Sequence, residues 1–203
     1  SSALIAYLSA LNSFNSPIDR CLTWEEQALE PGVIKGFNLF MGKANCATCH
    51  FAPSFSGLVP PLFEESESEL SGVLQRPDSL VLDDDLGRYA AGVPNYEAPF
   101  YKNSFKTVSI RNVALSAPYF HNGSYHSLKE VMDFYNDGGG MGKGLDLPHQ
   151  TLSADSLGLS EKEIDAIISF MEALSDTSKL GQQPKALPLG VNDSNQRKVG
   201  GFY

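Results

Sequence analysis

The sequence predicts a mainly α-helical fold in which long loops wrap around a central group. Two capping boxes, Ser127 with Glu130 and Ser160 with Glu163, each precede an amphipathic stretch. No stretch shows the apolar and polar alternation of a half-buried strand. Residues 51–105 lack helical periodicity and are rich in Pro, Gly, Ser and acidic residues. A stretch of that length in a compact domain is usually functional or wrapped around something, and a large rigid cofactor would keep it ordered.

Two helices are predicted in the first quarter of the chain. The first ends where Asn15-Ser16-Pro17 breaks the pattern. Its shared apolar face consists of Leu4, Ile5, Leu8 and Leu11. The second runs from about Glu25 to Met41, and Gly36 within it permits a close approach to another element. Its apolar residues are Leu29, Val33, Ile34, Phe37 and Phe40.

Two further helices follow the capping boxes. The helix after Ser127 ends at the glycines 138–140. Its inward stripe consists of Leu128, Val131, Met132 and Tyr135. The stripe of the last helix consists of Ile164, Ile167, Ile168, Met171 and Leu174. The chain then turns polar, so we expect one domain over residues 1–178 and a surface tail or extended arm over 179–203.

The composition and charge narrow the class of protein. The 203 residues are 42% hydrophobic and carry a formal net charge of −9. An acidic chain repels phosphate backbones, which argues against nucleic-acid binding. No apolar run is long enough to cross a bilayer. The acidic runs 64–69 and 83–85 are typical of solvated loops, and the alternative is a docking rim for a basic redox partner.

The strongest chemical motif is C-x-x-C-H, formed by Cys46, Cys49 and His50. Two thiols at this spacing can reach both vinyl groups on one edge of a porphyrin, and the adjacent imidazole then falls beneath the iron. The motif therefore predicts one covalent haem c, with His50 as the proximal iron ligand. Attachment of this type takes place outside the cytoplasm, so we expect a periplasmic protein.

Two alternatives to haem remain open for this motif. A zinc site needs a fourth ligand, which Cys21 or another His would have to supply. A thiol redox pair needs a βαβ context, which the sequence lacks. No other role is assigned to Cys21.

Four segments resemble the C-terminal haem domain of the bacterial di-haem cytochrome c peroxidases, including the MauG-like branch. The segments are LSALNSFNSPIDR (8–20), GFNLFMGKANCATCHFAPSFSG (36–57), FKTVSIRNVALSAPYFHNGSYHSLKEVMDFYNDGG (105–139) and LSEKEIDAIISFMEAL (159–174). The resemblance covers about residues 3–176 and implies a cytochrome c-like haem domain. Members of the family hold one haem in each of two domains, whereas this chain has a single C-x-x-C-H motif.

The resemblance implies a redox function. We expect an electron-transfer domain that serves peroxide reduction, or a MauG-like oxidation, in the full protein. Its expected partners are an N-terminal haem domain of the same protein and an electron-donor or substrate protein. Since Ser1 opens directly into a helical pattern, we expect a longer precursor. The isolated chain should be weakly active or inactive, with no catalytic residue of its own; the alternative is a stand-alone mono-haem electron carrier.

The distal iron ligand has two main candidates. The resemblance implies Tyr135, because the MauG-like branch places a Tyr seven residues after the position of Leu128, where ordinary peroxidases place a Met. The helical stripe independently points Tyr135 inward. Met132 lies one turn earlier on the same face, and Met141 is a looser candidate. A phenolate would favour Fe(III), whereas a thioether would favour Fe(II).

Other roles follow from the resemblance. The main-chain carbonyls of Ser116 and Pro118 match two calcium ligands of the family, and oxygen ligands suit calcium. Arg111 is a candidate partner for a haem propionate, with a structural salt bridge as the equal alternative. His121 is expected to be a structural hydrogen-bonding residue. The remaining histidines, His126 and His149, are expected at the surface, and Trp24 inherits no family role.

Overall fold

The computed structural model describes residues 2–10, 12–24 and 28–178. The chain divides into two compact units, of which the larger is Ser13–Asp176. The smaller unit comprises the terminal segments, and the predicted tail 179–203 lies outside the described residues. All the candidate site residues belong to the larger unit.

The described residues form seven α-helices and one small antiparallel sheet, in which Ser68 pairs with Lys106 and Glu69 with Phe105. The helices are α1 (Ser2–Ala10), α2 (Pro17–Leu22), α3 (Pro31–Met41), α4 (Ala98–Tyr101), α5 (Leu128–Asn136), α6 (Gly139–Gly142) and α7 (Glu161–Glu172). The strands are β1 (Ser68–Glu69) and β2 (Phe105–Lys106). Short 3₁₀ turns occupy Cys46–Thr48, Arg88–Ala91 and Val113–Leu115.

The main core forms where α3 packs along α7. Gly36 is buried against the backbone of Ala166, which confirms the close approach that its lack of a side chain predicts. Phe40 and Phe170 pack with their ring centroids 5.1 Å apart, and Phe55 joins them at 5.6 Å from Phe170. The predicted stripe of α7 is buried at Ile164, Ile167, Met171 and Leu174, whereas Ile168 is partly buried.

A second aromatic cluster forms on the other side of α5. It consists of Val73, Tyr125 and Phe134, with Tyr135 packed against it. The capping box of Ser127 and Glu130 is present, so the predicted start of this helix is confirmed. Phe134 is 1% exposed although the predicted stripe omits it, because α5 is covered on two faces rather than one.

The two N-terminal helices differ from the prediction. The break at Asn15-Ser16-Pro17 starts α2, since Ser16 and Asp19 form a capping box and Pro17 takes the first helical position. Helix α3 begins at Pro31 rather than near Glu25 for the same reason: proline suits the first turn but not the interior. In α1, Leu4, Ile5 and Leu8 are exposed.

The long loop region is confirmed as largely irregular. Between residues 51 and 105 the described regular structure is limited to β1, the Arg88–Ala91 turn, α4 and the first residue of β2. Helix α5 ends before the glycines, as predicted, but the glycines do not remain a loop. Gly138 adopts a left-handed φ of 86°, and the short helix α6 begins directly after it. The two-residue strands are too short to show sequence alternation.

Candidate functional site

The C-x-x-C-H motif forms a tight turn directly after α3. Asn45 adopts a left-handed φ of 54°, which turns the chain out of the helix and into the 3₁₀ turn Cys46–Thr48. Cys49 follows this turn directly, and its influence on the pKa of Cys46 indicates that the two thiols lie near each other. Both thiols are free and partly buried. The turn therefore presents two thiols as a pair.

His50 has a defined orientation. Its Nδ1 lies 3.0 Å from the carbonyl oxygen of Phe55. A carbonyl only accepts hydrogen bonds, so the tautomer that fits this contact has its proton on Nδ1, and in that tautomer the neutral ring keeps a lone pair on Nε2. Burial lowers the pKa of His50, opposed by its hydrogen bonds to the backbone of Phe55 and Val108. The ring is thus a neutral Nε2 donor, which is the form that binds a metal.

The two thiols are held in their protonated form. Burial raises the pKa of the Cys46 thiol to about 12. Burial also raises the pKa of Cys49, and the negative charge of Glu69 raises it further. Neutral thiols in a partly apolar setting suit conversion into neutral thioethers better than service as thiolate nucleophiles.

Tyr135 faces the same group of side chains from α5. The pKa of its hydroxyl is raised, first by burial and then by the nearby sulfur atoms of Cys46 and Cys49 and by Glu69. The influence of both cysteines indicates that the phenol oxygen lies within electrostatic reach of the C-x-x-C-H turn. The structure thus brings Tyr135 together with the motif residues, although 85 residues of chain separate Tyr135 from His50.

Met132 lies in a different environment. Its side chain is 3% exposed and belongs to the main core with Phe40, Ile164 and Phe170. Met141 is partly buried beyond Gly138, and its backbone N–H donates to Gln150. The two residues remain alternative iron ligands, but the contacts of Met132 are those of a core residue.

Arg111 is engaged by a buried carboxylate. Its two terminal nitrogens donate to the two oxygens of Asp19, each at 2.9 Å, and the side chains are 8% and 11% exposed. It also donates to the carbonyl oxygens of Ser13 and Pro53. These contacts favour the salt-bridge alternative over the propionate contact, which stays a prediction.

A thiol and two carboxylates also cluster beside the turn. The ligand atoms of Cys49, Glu67 and Glu69 all lie within 4.8 Å of one another. A metal would need the Cys49 thiolate, but the acidic neighbours raise the pKa of that thiol. Burial raises the pKa of Glu67, and Glu69 raises it further. The charge of Glu69 influences both the Cys49 thiol and the Tyr135 hydroxyl, so the cluster lies within electrostatic reach of both.

The remaining predicted residues lie elsewhere. Ser116 and Pro118 are both exposed, and their role as calcium ligands stays a prediction. His121 stacks on Phe105 at 3.5 Å and its Nε2 lies 3.0 Å from Asp83, as expected of a structural residue. The side chains that carry no assigned role are His126, His149 and Trp24, all exposed, and Cys21, which is partly buried.

Sequence reasoning missed two contributors to the site. The first is the Phe55 carbonyl, since a backbone acceptor leaves no signal in residue type; the positive φ of 49° at Phe55 is visible only in the fold. The second is Glu69, which the sequence presents as one of four glutamates in a solvated run. Glu69 lies in β1, paired with Phe105, and its carboxylate lies within 4.8 Å of the Cys49 sulfur.

The residues present fit a covalently attached haem. Two neutral thiols, an imidazole and a partly buried phenol on α5 form a sulfur, nitrogen and oxygen donor set. The thiols suit the vinyl groups, the imidazole suits the proximal iron position and the phenol suits the distal one. No helix within the described ranges is both long and apolar enough to cross a membrane.

Comparison with known proteins finds relatives of one kind, although no family model matches the chain. The chain is 36% identical over 183 residues to the cytochrome-c peroxidase IdrP2 of Denitromonas iodatirespirans, covering 83% of this chain and 46% of that protein. It is 31% identical over 172 residues to the methylamine utilization protein MauG of Methylorubrum extorquens, covering 85% and 42%. The chain spans about half the length of the curated relatives that it matches.

Solved structures resemble the chain in the same way. A MauG-like protein associated with microbial copper homeostasis superposes with a TM-score of 0.62 at 25% identity, over 82% of this chain and 49% of that one. The diheme peroxidase BthA of Burkholderia thailandensis superposes with a TM-score of 0.57 at 19% identity, over 81% and 47%. The second likeness concerns the fold alone.

Proposed function

Because the chain belongs to the family of di-haem cytochrome c peroxidases and MauG-like proteins, we propose that it is a haem c-binding electron-transfer domain of such an enzyme. Cys46 and Cys49 would form the two thioether bonds, and His50 would be the proximal iron ligand. The observation that carries the proposal is the His50 hydrogen bond to Phe55, because it leaves Nε2 available beside two paired thiols.

The distal position is proposed for Tyr135. Its phenol is partly buried on α5, and its pKa is raised by burial and by the nearby cysteines of the motif. A ferric iron would offset that burial by stabilising the phenolate. The covalent haem supplies reversible one-electron chemistry when bound. The Phe55 carbonyl orients the His50 imidazole, and the carboxylate of Glu69 contributes negative charge near both the imidazole and the Tyr135 phenol.

The activity and partners of the whole protein are also proposals. The domain would exchange electrons with a second haem domain of the same protein, where peroxide reduction or a MauG-like oxidation would take place. An external protein would serve as electron donor or substrate, and the setting would be periplasmic. Calcium held by the carbonyls of Ser116 and Pro118 belongs to the same proposal.

The experiment that tests attachment uses the chain expressed with the haem c maturation machinery. The parent chain should keep its haem through denaturation and acid-acetone extraction. Cys46→Ala with Cys49→Ala should lose all of it, since no thioether can form. Cys21→Ala is the matched control for loss of a thiol and should retain the haem. Haem that extracts cleanly from the parent would refute the assignment.

Peroxide turnover distinguishes the domain role from independent catalysis. The purified haem-loaded chain should turn over peroxide slowly, because a six-coordinate iron offers peroxide no open position. Turnover should increase in a longer protein that carries a second C-x-x-C-H domain. If the longest natural form contains one motif and still passes electrons, the mono-haem carrier becomes the better description.

A further inference from the structure

The segment 109–111 holds three consecutive carbonyl groups next to the haem motif. Arg111 Nε donates to the carbonyl oxygen of Pro53 at 3.0 Å. The Ser109 hydroxyl donates to the carbonyl oxygen of Ser54 at 2.5 Å. The backbone N–H of Ile110 donates to the carbonyl oxygen of Phe55 at 3.0 Å. We call these three hydrogen bonds the carbonyl brace.

The last of the three carbonyls is the one that orients His50. Its oxygen accepts from Ile110 and from His50 Nδ1, both at 3.0 Å. Phe55 has a positive φ of 49°, a strained region for a non-glycine residue. Such a conformation persists only where the surroundings over-determine it. The brace holds Phe55 in this conformation, because its three hydrogen bonds fix the carbonyl groups of Pro53, Ser54 and Phe55 itself.

Arg111 anchors the brace to a rigid part of the fold. Asp19 takes both of its terminal nitrogens and is itself held by the α2 capping box, in which the Ser16 hydroxyl donates to Asp19 at 2.7 Å. The guanidinium carbon also lies 4.4 Å from the ring centroid of Phe14. A planar guanidinium with both ends occupied has little freedom to rotate.

We propose that Arg111, held by Asp19, is a positioning residue for the proximal ligand. It acts through Pro53 and Phe55: the guanidinium fixes the 53–55 backbone, and the Phe55 carbonyl fixes the plane and proton of His50. A firm hydrogen bond at Nδ1 makes a histidine ligand more basic. The brace therefore lowers the reduction potential that the chain imposes on its iron. This inference rests on the proposed function for its iron readouts, but its prediction about His50 holds without iron.

The test uses two variants that loosen the brace in different ways. Arg111→Met with Asp19→Asn removes the guanidinium without leaving a buried carboxylate unpaired. Ser109→Ala removes a single exposed hydroxyl and is the milder change. Both should raise the reduction potential of the haem-loaded chain and shift the ferric electron paramagnetic resonance g-values, with the double variant showing the larger effect.

The matched control is Asn112→Gly. Asn112 links Ser13 to Asp176 through its side chain, at 2.8 and 2.6 Å, and its φ of 62° is comfortable for glycine. This variant should lower the melting temperature while leaving the potential and the g-values unchanged. A double variant that changes stability as Asn112→Gly does, with the potential and g-values of the parent, would overturn the proposal.

The ¹⁵N chemical shifts of the His50 ring test the brace independently of the proposed haem function. They should show one tautomer, protonated on Nδ1, in the parent chain, and a mixture in the double variant. The measurement is made on the chain without haem, because an iron bound to Nε2 would fix the proton on Nδ1 in every variant. A parent chain that takes up no haem refutes the proposed function, yet its His50 shifts still decide for or against the brace.

Discussion

Gly36 in α3 lies against Ala166 in α7 so closely that a Cβ on Gly36 would stand 1.9 Å from the Ala166 carbonyl oxygen. The same Cβ would lie 2.9 Å from the Cβ of Phe170, a fully buried residue. The oxygen belongs to the α7 backbone, so it cannot move without shifting the helix. This contact fixes the position of α3 against α7. Because α3 leads into the C-x-x-C-H turn, it also fixes where that turn begins.

The first prediction tests this contact. Gly36→Ala should destabilise the protein by about 1–3 kcal/mol, because overpacking forces the two helices apart. Gly32→Ala is the control in the same helix, where a Cβ meets nothing within 4 Å. It should be neutral or stabilising by less than about 1 kcal/mol, since alanine is the better helix former. Chemical denaturation measures both, and equal effects would contradict the packing argument.

The second prediction concerns the buried pair of Arg111 and Asp19. Asp19→Ala should cost about 3 kcal/mol or more, because it leaves a guanidinium buried without its carboxylate. Asp78→Ala breaks the exposed pair with Arg76, whose side chains are 73% and 81% exposed, and should cost at most about 1 kcal/mol. Similar losses in urea denaturation would mean that the burial of the first pair is energetically irrelevant.

The Asp19 pair also predicts a pH dependence. Burial alone would raise the pKa of Asp19, but the hydrogen bonds from Arg111 and Ser16 bring it below its ordinary value of 3.8. A carboxylate with a lowered pKa stabilises the fold above that value, and the contribution is lost as the pH falls below it. The difference in unfolding free energy between the parent and Asp19→Ala should therefore shrink in that acid range.

The third prediction identifies the distal ligand. In the haem-loaded chain, Tyr135→Phe removes the oxygen donor with little change in volume, so the ferric spectrum should shift towards high spin. Tyr135→Met should raise the reduction potential, because a thioether favours Fe(II). Met132→Leu keeps the volume of a core residue and should leave the spectrum unchanged, at a stability cost below about 1.5 kcal/mol. The reverse pattern would identify Met132 as the ligand.

The fourth prediction concerns the start of α7. Glu163 accepts from Lys43 at 2.8 Å and from the Ser160 backbone at 2.8 Å, and these contacts lower its pKa from 4.5 to about 2. Its stabilising effect should be complete above pH 4.5 and lost as the pH falls towards 2. The difference in melting temperature between the parent and Glu163→Gln should therefore vanish across that window. Glu161→Gln, in the same helical turn but outside the capping box, controls for the loss of one charge.

Local sequence signals predicted the elements that depend on neighbours along the chain. The capping boxes at Ser127 and Ser160 are both present, because a hydroxyl and a carboxylate three residues apart satisfy each other's backbone groups locally. The segment Asn15-Ser16-Pro17 predicts only a break in the helical pattern, whereas Ser16 and Asp19 form a capping box that starts α2. The apolar periodicity predicts a start of α3 near Glu25, which is too early, because Pro31 suits the first helical turn and not the interior.

The fate of apolar and charged side chains was less predictable. Ile34 and Phe37 belong to the predicted stripe of α3, yet they are 47% and 39% exposed, because α7 covers a narrower face than the periodicity implies. Arg111 has a sequence context that suits a propionate, whereas its observed partner Asp19 lies 92 residues away. Such a distant partner leaves no local pattern in the sequence.

The sequence by itself determined the reactive groups of this protein. The two thiols, the imidazole and their spacing are fixed by the covalent chain and do not depend on the fold. It also determined the family, through residues that lie close together in the chain. Only the tertiary structure decided which atoms face that turn. The brace from 109–111, the carbonyl of Phe55, the phenol of Tyr135 and the carboxylate of Glu69 converge through long-range packing. Burial and partner geometry set their hydrogen bonds and pKa shifts, and both are properties of the fold.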